Sequence, residues 1–210
     1  TEEYASLAIE QVENTALMQD NVLVVYLPEC HESVAGIIAG RVREKFYKPS
    51  IVITKAEEGA KGSGRSIEGY NMFEEISKCG SLLNKYGGHP MAAGISLDID
   101  KIDSFRKALN ASQTLTEKEL TPTIWIDVPM PVDYVDISLT KQFDKLQPFG
   151  KGNEKPVFAD RNLYVKESAL IGKNRNVLRC KLESEHGKLV TAIKFKMEGQ
   201  EIPEEGRKIS

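Results

Sequence analysis

The sequence predicts a mixed α/β domain, with helices flanking its sheet, over residues 21–112, followed by a small all-β barrel over 123–210. Three observations carry this. An apolar run, an amphipathic helix and a second apolar run succeed one another between Val22 and Thr54, the pattern of a βαβ unit with parallel strands. Residues 113–122 are polar and turn-prone and read as a linker. Beyond them the hydrophobic period changes to two, as in half-buried strands.

Ala5, Ala8, Ile9, Val12 and Ala16 recur at helical spacing, so a helix is expected from Thr1 to about Gln19. It has no evident domain of its own to close, and residues 1–20 read as a linker helix from something upstream. Val22–Leu27 reads as a buried strand. A helix follows from Ser33 to Phe46, with Ser33 as its cap and His31 packed at the turn, then a strand at Ile51–Thr54. The glycine-rich segment 59–66 reads as a loop. A helix over Met72–Lys85, a turn at Gly87-Gly88-His89, a strand over Met91–Leu97 and a helix over Ile102–Ala111 complete the domain.

In the second domain Ile124, Ile126 and Val128 alternate with Trp125 and Asp127. Leu178, Cys180 and Leu182 alternate with Arg179 and Lys181, and Leu189, Thr191, Ile193 and Phe195 with Val190, Ala192, Lys194 and Lys196. The phase puts Arg179, Lys181, Lys194 and Lys196 on solvent-facing positions. A short helix near Ser138–Leu146 and turns at Gly172-Lys173-Asn174 and His186-Gly187 fit a barrel of the OB type. The run Gly206-Arg207-Lys208-Ile209-Ser210 reads as a stop before the last strands, so an incomplete barrel is expected.

With 40% hydrophobic and 28% charged residues the chain has an ordinary globular composition. It holds no apolar run of about 18 residues and no secretory leader pattern, which points away from the membrane and to the cytoplasm. Cys30, Cys79 and Cys180 lie far apart without CxxC spacing, which argues against a disulfide framework or a structural zinc site. The net charge of −3 hides an asymmetry: residues 1–115 hold 12 Lys and Arg against 16 Asp and Glu, whereas residues 161–196 hold 9 against 3. A basic segment in an acidic protein is either a nucleic-acid footprint or a solvated sheet face.

Two segments carry candidate chemistry. Gly87-Gly88-His89-Pro90-Met91-Ala92-Ala93-Gly94 leaves little bulk around one titratable ring, so the backbone can come close to a ligand. Lys61-Gly62-Ser63-Gly64-Arg65-Ser66 sets two hydroxyls and an arginine among glycines, the parts of a phosphate clamp. A charge-assisted bond from such an arginine contributes about 1.5–3 kcal/mol. The plainer alternatives are a tight turn and a loop with one exposed arginine. Metal-assisted hydrolysis needs converging carboxylates and histidines, and the three histidines sit in unrelated segments, so no metal site is expected in this chain.

GGHPMAAG resembles the signature of the DHH-associated domain, which follows the metal-binding catalytic domain in the DHH phosphoesterase superfamily. Leu146-Gln147-Pro148-Phe149-Gly150-Lys151-Gly152-Asn153-Glu154-Lys155-Pro156-Val157-Phe158 resembles the stretch that joins that domain to an OB domain in the RecJ single-stranded-DNA exonucleases. The resemblance implies an α/β DHH-associated domain and an OB domain in a 5′-to-3′ exonuclease of DNA repair and recombination. Gly62, Ser63, Arg65, Ser66, Gly87, Gly88 and His89 would bind the strand's phosphates, with Ser63 and Arg65 on the 5′ phosphate and His89 in a supporting catalytic role. Arg175, Arg179, Lys181, Lys194 and Lys196 would bind the trailing strand, with Trp125, Phe158 and Tyr164 as candidate stackers.

The resemblance further implies manganese or magnesium in an upstream catalytic domain, so that these residues alone would bind without cutting. Single-stranded DNA is the implied partner; docking of a helicase or a single-strand-binding protein stays open. Around His31 the family more often has a tryptophan before the histidine and a glycine two beyond it, so Cys30 and Ser33 depart from its pattern. Two other readings stand beside this one: a phosphodiesterase for short RNA or dinucleotides, and a non-catalytic nucleic-acid-binding module.

Overall fold

The computed structural model describes residues 1–150, 152–197 and 200–209. The chain forms two compact units, Thr1–Thr123 and Ile124–Ser210. Among the described residues no helix is long and apolar enough to cross a membrane.

In the first unit the elements are α1 (Glu2–Glu13), β1 (Leu23–Tyr26), α2 (Glu32–Phe46), β2 (Ser50–Lys55), β3 (Ala60–Arg65), α3 (Met72–Lys78), β4 (Lys85–His89), β5 (Ala92–Leu97) and α4 (Ile102–Ser112). They build one sheet of order β1-β2-β3-β5-β4. The β1–β2 pair is parallel, as the βαβ pattern requires, and the other pairs are antiparallel. Alternating side chains feed two cores. Leu23, Val25 and Val52 pack with Val12, Ile38 and Val42 of α1 and α2. Val24, Ile51, Ile53, Ile95 and Leu97 pack on the opposite face with Met72, Ile76, Phe105 and Leu109 of α3 and α4. The first helix, expected to have no domain to close, buries Ala8 and Val12 in the first of these cores.

Four local expectations change. The helix expected over Met72–Lys85 ends at Lys78, and Lys85 opens β4. Within segment 59–66, Ala60–Arg65 form a strand and not a loop, and Gly87-Gly88-His89 ends a strand and is not a turn. Glycine-rich sequence has low strand propensity, but here it is held by hydrogen-bonded neighbours. The cap of α2 is His31 and not Ser33: its Nδ1 accepts from the Ser33 N–H at 3.2 Å and lies 2.8 Å from the Ser33 hydroxyl, and Ser33 lies within the first turn of the helix.

The second unit comprises β6 (Val128–Pro129), α5 (Ile137–Phe143), β7 (Phe158–Ala159), β8 (Leu163–Ile171), β9 (Val177–Glu183), β10 (Leu189–Phe195) and β11 (Lys208–Ile209). Its main sheet is antiparallel, of order β10-β9-β8-β11, and curls into a half-barrel around Leu163, Val165, Leu178, Cys180, Leu182 and Met197. A bulge between Val165 and Glu167 on β8 supplies local curvature. The alternation at Ile124–Val128 yields only the two-residue strand β6, because its sole pairing partner among the described residues, β7, is equally short. Ile124 and Trp125 are exposed.

In β10 the phase is the reverse of the expected one. Register pairs Val190 with Leu182 and Ala192 with Cys180, so the smaller side chains face the core, while Leu189, Ile193 and Phe195 are exposed. A one-residue change of register flips every side chain, and hydrophobicity on both phases of β10 could not choose between them.

The packing is open to test at three points. Asn110 of α4 accepts from the N–H groups of Asn21 and Val22, both at 3.0 Å, and donates to the carbonyls of Val22 and Arg106. Asn110→Ala strands these backbone groups and is expected to lower stability by about 2 kcal/mol in urea titration. A Cβ on Gly88 would lie 2.3 Å from the Ala92 carbonyl oxygen and 2.6 Å from the Ala93 Cα, whereas one on Gly87 meets nothing within 4 Å. Gly88→Ala should therefore cost about 1–3 kcal/mol by forcing β4 off β5, and Gly87→Ala should leave stability close to wild type. In the second unit Asp133 accepts from Ser184 at 2.8 Å and faces His186 at 3.2 Å, contacts that hold its carboxyl below the ordinary carboxylate range. A depressed carboxylate stabilises the fold above its unfolded pKa, and that contribution is lost as pH falls through the folded value. Asp133→Asn should lower the melting temperature at pH 7 and narrow its gap to wild type below about pH 4.

Candidate nucleic-acid interface

Helix α2 lies over β2 and β3 and leaves β5 and β4 uncovered on its side of the sheet. Three cross-strand rows lie there: Arg65–Ala92–His89, Ser63–Gly94–Gly87 and Lys61–Ser96–Lys85. Directly opposed residues share a face, so all nine positions point the same way, with Arg65 and His89 about 10 Å apart across β5. The α2 residues Glu32 and Ser33 wall a groove of about 540 Å³, whose lining includes Ser63, Gly87, Gly94 and Lys85.

The glycines of these strands divide by what a side chain would meet. On Gly62 a Cβ would come within 2.8 Å of Ile95, so the core beneath requires glycine there, and on Gly64 within 3.2 Å of Met72, a tight contact that the methionine would have to yield to. Gly88 is required by β4–β5 pairing. Gly87 has no atom within 4 Å of an added Cβ, and Gly94 only the Gly62 carbonyl oxygen at 4.0 Å. Among the described residues nothing demands glycine at these two positions. Their effect is to bare the backbone floor between Ser63 and Arg65 on one side and His89 on the other.

The polar groups around that floor are donors. Half-buried Arg65 is held by its own strand, with Nη1 donating to the Gly64 carbonyl at 2.7 Å and to Ser63 Oγ at 3.1 Å. His89 Nδ1 accepts from the Met91 N–H at 3.3 Å, which leaves Nε2–H as the outward donor of the neutral ring. β4 is an edge strand, so one row of its backbone groups is turned away from the ladder. Lys61 pairs with Glu32 at 2.7 Å, and each draws the other's pKa away from its ordinary value, Lys61 upward and Glu32 downward. Lys85 has no salt-bridge partner among the described residues.

Ser66 does not belong to this set. It is fully buried and its hydroxyl donates to the Tyr70 carbonyl at 2.6 Å, because it lies just past β3 where the chain turns into the core. Lys85, Ser96 and Gly94 join the face instead. The first two gave no sequence signal, since their position follows only from the β3–β5–β4 register. Past Lys61 and Lys85 the groove opens into an acidic mouth lined by Glu29, Glu57, Glu58 and Asp98.

In the second unit all five basic candidates are exposed but they do not share one face. Arg179 and Lys181 stand on the outer face of β9, opposite Ile193 and Thr191 of β10. Lys194 follows the inward phase of β10, and Arg175 and Lys196 lie outside the strands with φ of 49° and 61°. Lys181 is partly engaged by Glu167 at 3.4 Å. Of the candidate stackers Trp125 is exposed, Phe158 stacks on Phe143 at 5.1 Å, and Tyr164 lies under Lys208 at 4.9 Å. Phe195, exposed on the same outer face as Arg179, escapes sequence reasoning because the alternation of β10 points it inward. Among the described residues no group of three or more His, Cys, Asp or Glu side chains is disposed to hold a metal ion.

Comparison with known proteins matches residues 19–114 to the DHHA1 domain and residues 126–210 to the RecJ OB domain. The chain is 36% identical over 186 residues to the single-stranded-DNA-specific exonuclease RecJ of Bacillus subtilis (strain 168), covering 87% of this chain and 24% of that protein. The RecJ of Escherichia coli (strain K12) is 30% identical over 192 residues, covering 88% of this chain and 33% of that protein. The chain thus spans about a quarter to a third of the length of these relatives. A crystal structure of RecJ in complex with Mn2+ from Thermus thermophilus superposes with a TM-score of 0.68 at 19% identity, over 98% of this chain and 34% of that one, which is a likeness of fold. With a DHHA1 domain followed by a RecJ OB domain, and 36% identity to a RecJ exonuclease, the chain belongs to the RecJ family.

Proposed function

We propose that these 210 residues grip the substrate of a 5′-to-3′ single-stranded-DNA exonuclease of repair and recombination, working in the cytoplasm. The observation that carries the reading is the bare floor of Gly87 and Gly94, flanked by Ser63 and Arg65 on one side and His89 on the other. Bare backbone lets a sugar-phosphate chain approach closely, and the donors converge where an anion would lie. The Arg65 fork and the Ser63 hydroxyl hold the 5′ phosphate. His89 Nε2–H and the outer backbone N–H groups of β4 donate to the adjacent phosphate, where they stabilise charge on its oxygens.

The OB unit holds the trailing strand through the outer faces of β9 and β10, with Arg179 and Lys181 on phosphates and Phe195 under a base. Hydrolysis would use manganese or magnesium held in a separate catalytic domain, as the family resemblance implies. Cys30, Cys79 and Cys180 are free and buried, which suits a reducing compartment.

Fluorescence anisotropy of the chain with a single-stranded oligonucleotide of about 20 residues tests this. A 5′ phosphate should tighten binding, and Arg65→Ala should remove about tenfold or more of affinity for the phosphorylated strand while leaving the 5′-hydroxyl strand nearly unchanged. Binding should persist in EDTA. A 5′-phosphate preference untouched by Arg65→Ala would overturn the end-holding role, and preferential binding of dinucleotides would favour the small-substrate reading.

A further inference from the structure

We propose that Gly36 is a positioning residue that fixes the pose of the Arg65 guanidinium and thereby the preference for a terminal phosphate; the second half of this rests on the end-holding reading above. Gly36 lies inside α2, where glycine is among the poorest helix formers, and what sets it apart is what a side chain there would meet. A Cβ there would lie 2.5 Å from Arg65 Nη2, 3.2 Å from its Cζ and 3.0 Å from Ser63 Oγ. The space a methyl group would take is already occupied by the two side chains proposed to hold the phosphate.

The guanidinium is therefore clamped from two sides. Below it, Nη1 donates to the Gly64 carbonyl and Ser63 Oγ; above it, the bare backbone of α2 at Gly36 leaves room for Nη2 and no more. An added methyl moves the flexible end of Arg65 in preference to the helix. The displaced fork loses its alignment on the strand, and the Ser63 hydroxyl is crowded with it. Gly40, one turn further along the same helix, has nothing within 4 Å of an added Cβ. It is an internal control: Gly40→Ala has the same effect on helix propensity without touching Arg65.

The test uses the 210-residue chain with Gly36→Ala, Gly40→Ala, Arg65→Ala and the Gly36→Ala/Arg65→Ala double variant. The first readout is the ratio of dissociation constants for 5′-hydroxyl and 5′-phosphorylated oligonucleotides. The second, independent of DNA, is the Arg65 Nε–Hε resonance by 15N NMR. The third is the melting temperature. Gly36→Ala is expected to cut the 5′-phosphate preference by about tenfold and to shift the Arg65 resonance, with both unchanged in Gly40→Ala. In the Arg65→Ala background the methyl meets only the Ser63 hydroxyl, at 3.0 Å, which can rotate away, so Gly36→Ala should no longer alter the preference and should raise the melting temperature.

A Gly36→Ala protein with the wild-type resonance and the wild-type preference overturns the inference. So does a melting temperature lowered equally in both backgrounds, which would make Gly36 a helix-packing position only. If Arg65→Ala itself leaves the preference intact, the end-holding reading falls, and the resonance and the melting-temperature cycle still decide whether Gly36 positions Arg65.

Discussion

The candidate site depends on one constraint: β3 can present bulk on only one of its faces. Its inward positions are Ala60, Gly62 and Gly64, and the space above the two glycines is filled by Ile53, Ile95, Ile51 and Met72 from neighbouring elements. A strand so poor in side chains is weak alone. It persists because it lies between β2 and β5 and is paired along its whole length on both sides. The core is thus built by its neighbours, and the other face of β3 is left for Lys61, Ser63 and Arg65. Binding groups carried by a strand inside a sheet are placed more firmly than the same groups on a loop.

Charge along the groove runs in one direction. Arg65 and His89 stand at one end, Lys61 and Lys85 follow, and Glu29, Glu57, Glu58 and Asp98 line the mouth beyond. With a Debye length of about 8 Å at physiological ionic strength, each end is felt mostly by groups near it. On the proposed reading an anion would be held at the arginine end and repelled at the acidic end, which would orient a phosphate chain without any base contact. The exposed Lys61–Glu32 pair contributes little to stability. Its consequence concerns binding, because Glu32 competes with any incoming phosphate for Lys61.

Much of this was legible in the sequence, and what was not has a physical reason. The βαβ unit and the period of β9 follow from hydrophobic patterning, which reports burial directly. Ser63, Arg65, Gly87 and His89 stand out by residue type, yet their segments read as loops because glycine propensity outweighs a pairing that exists only in three dimensions. Lys85, Ser96 and Gly36 could not be found without the register or the helix–strand approach. Ser66 is misassigned by sequence because a hydroxyl beside a phosphate motif resembles one inside it; its burial depends on Tyr70, four residues later.

The reversed phase of β10 bears on how the OB unit would hold DNA. With Lys194 on the inward phase, the outer face of β9 and β10 carries two cations, Arg179 and Lys181, together with Ile193 and Phe195. Single-strand binding loses about 0.7 in log affinity per log salt for each phosphate neutralised, so two contacts give a slope near about 1.4, against about 3.5 for five. Stacking contributes about 1–3 kcal/mol per base and is not screened in this way. On the proposed reading an outer face that pairs Phe195 with Arg179 would therefore retain part of its grip at physiological salt. A purely cationic face would lose most of it, which makes the mixed apolar and basic character of β9 and β10 better suited to holding a strand while its end is engaged elsewhere.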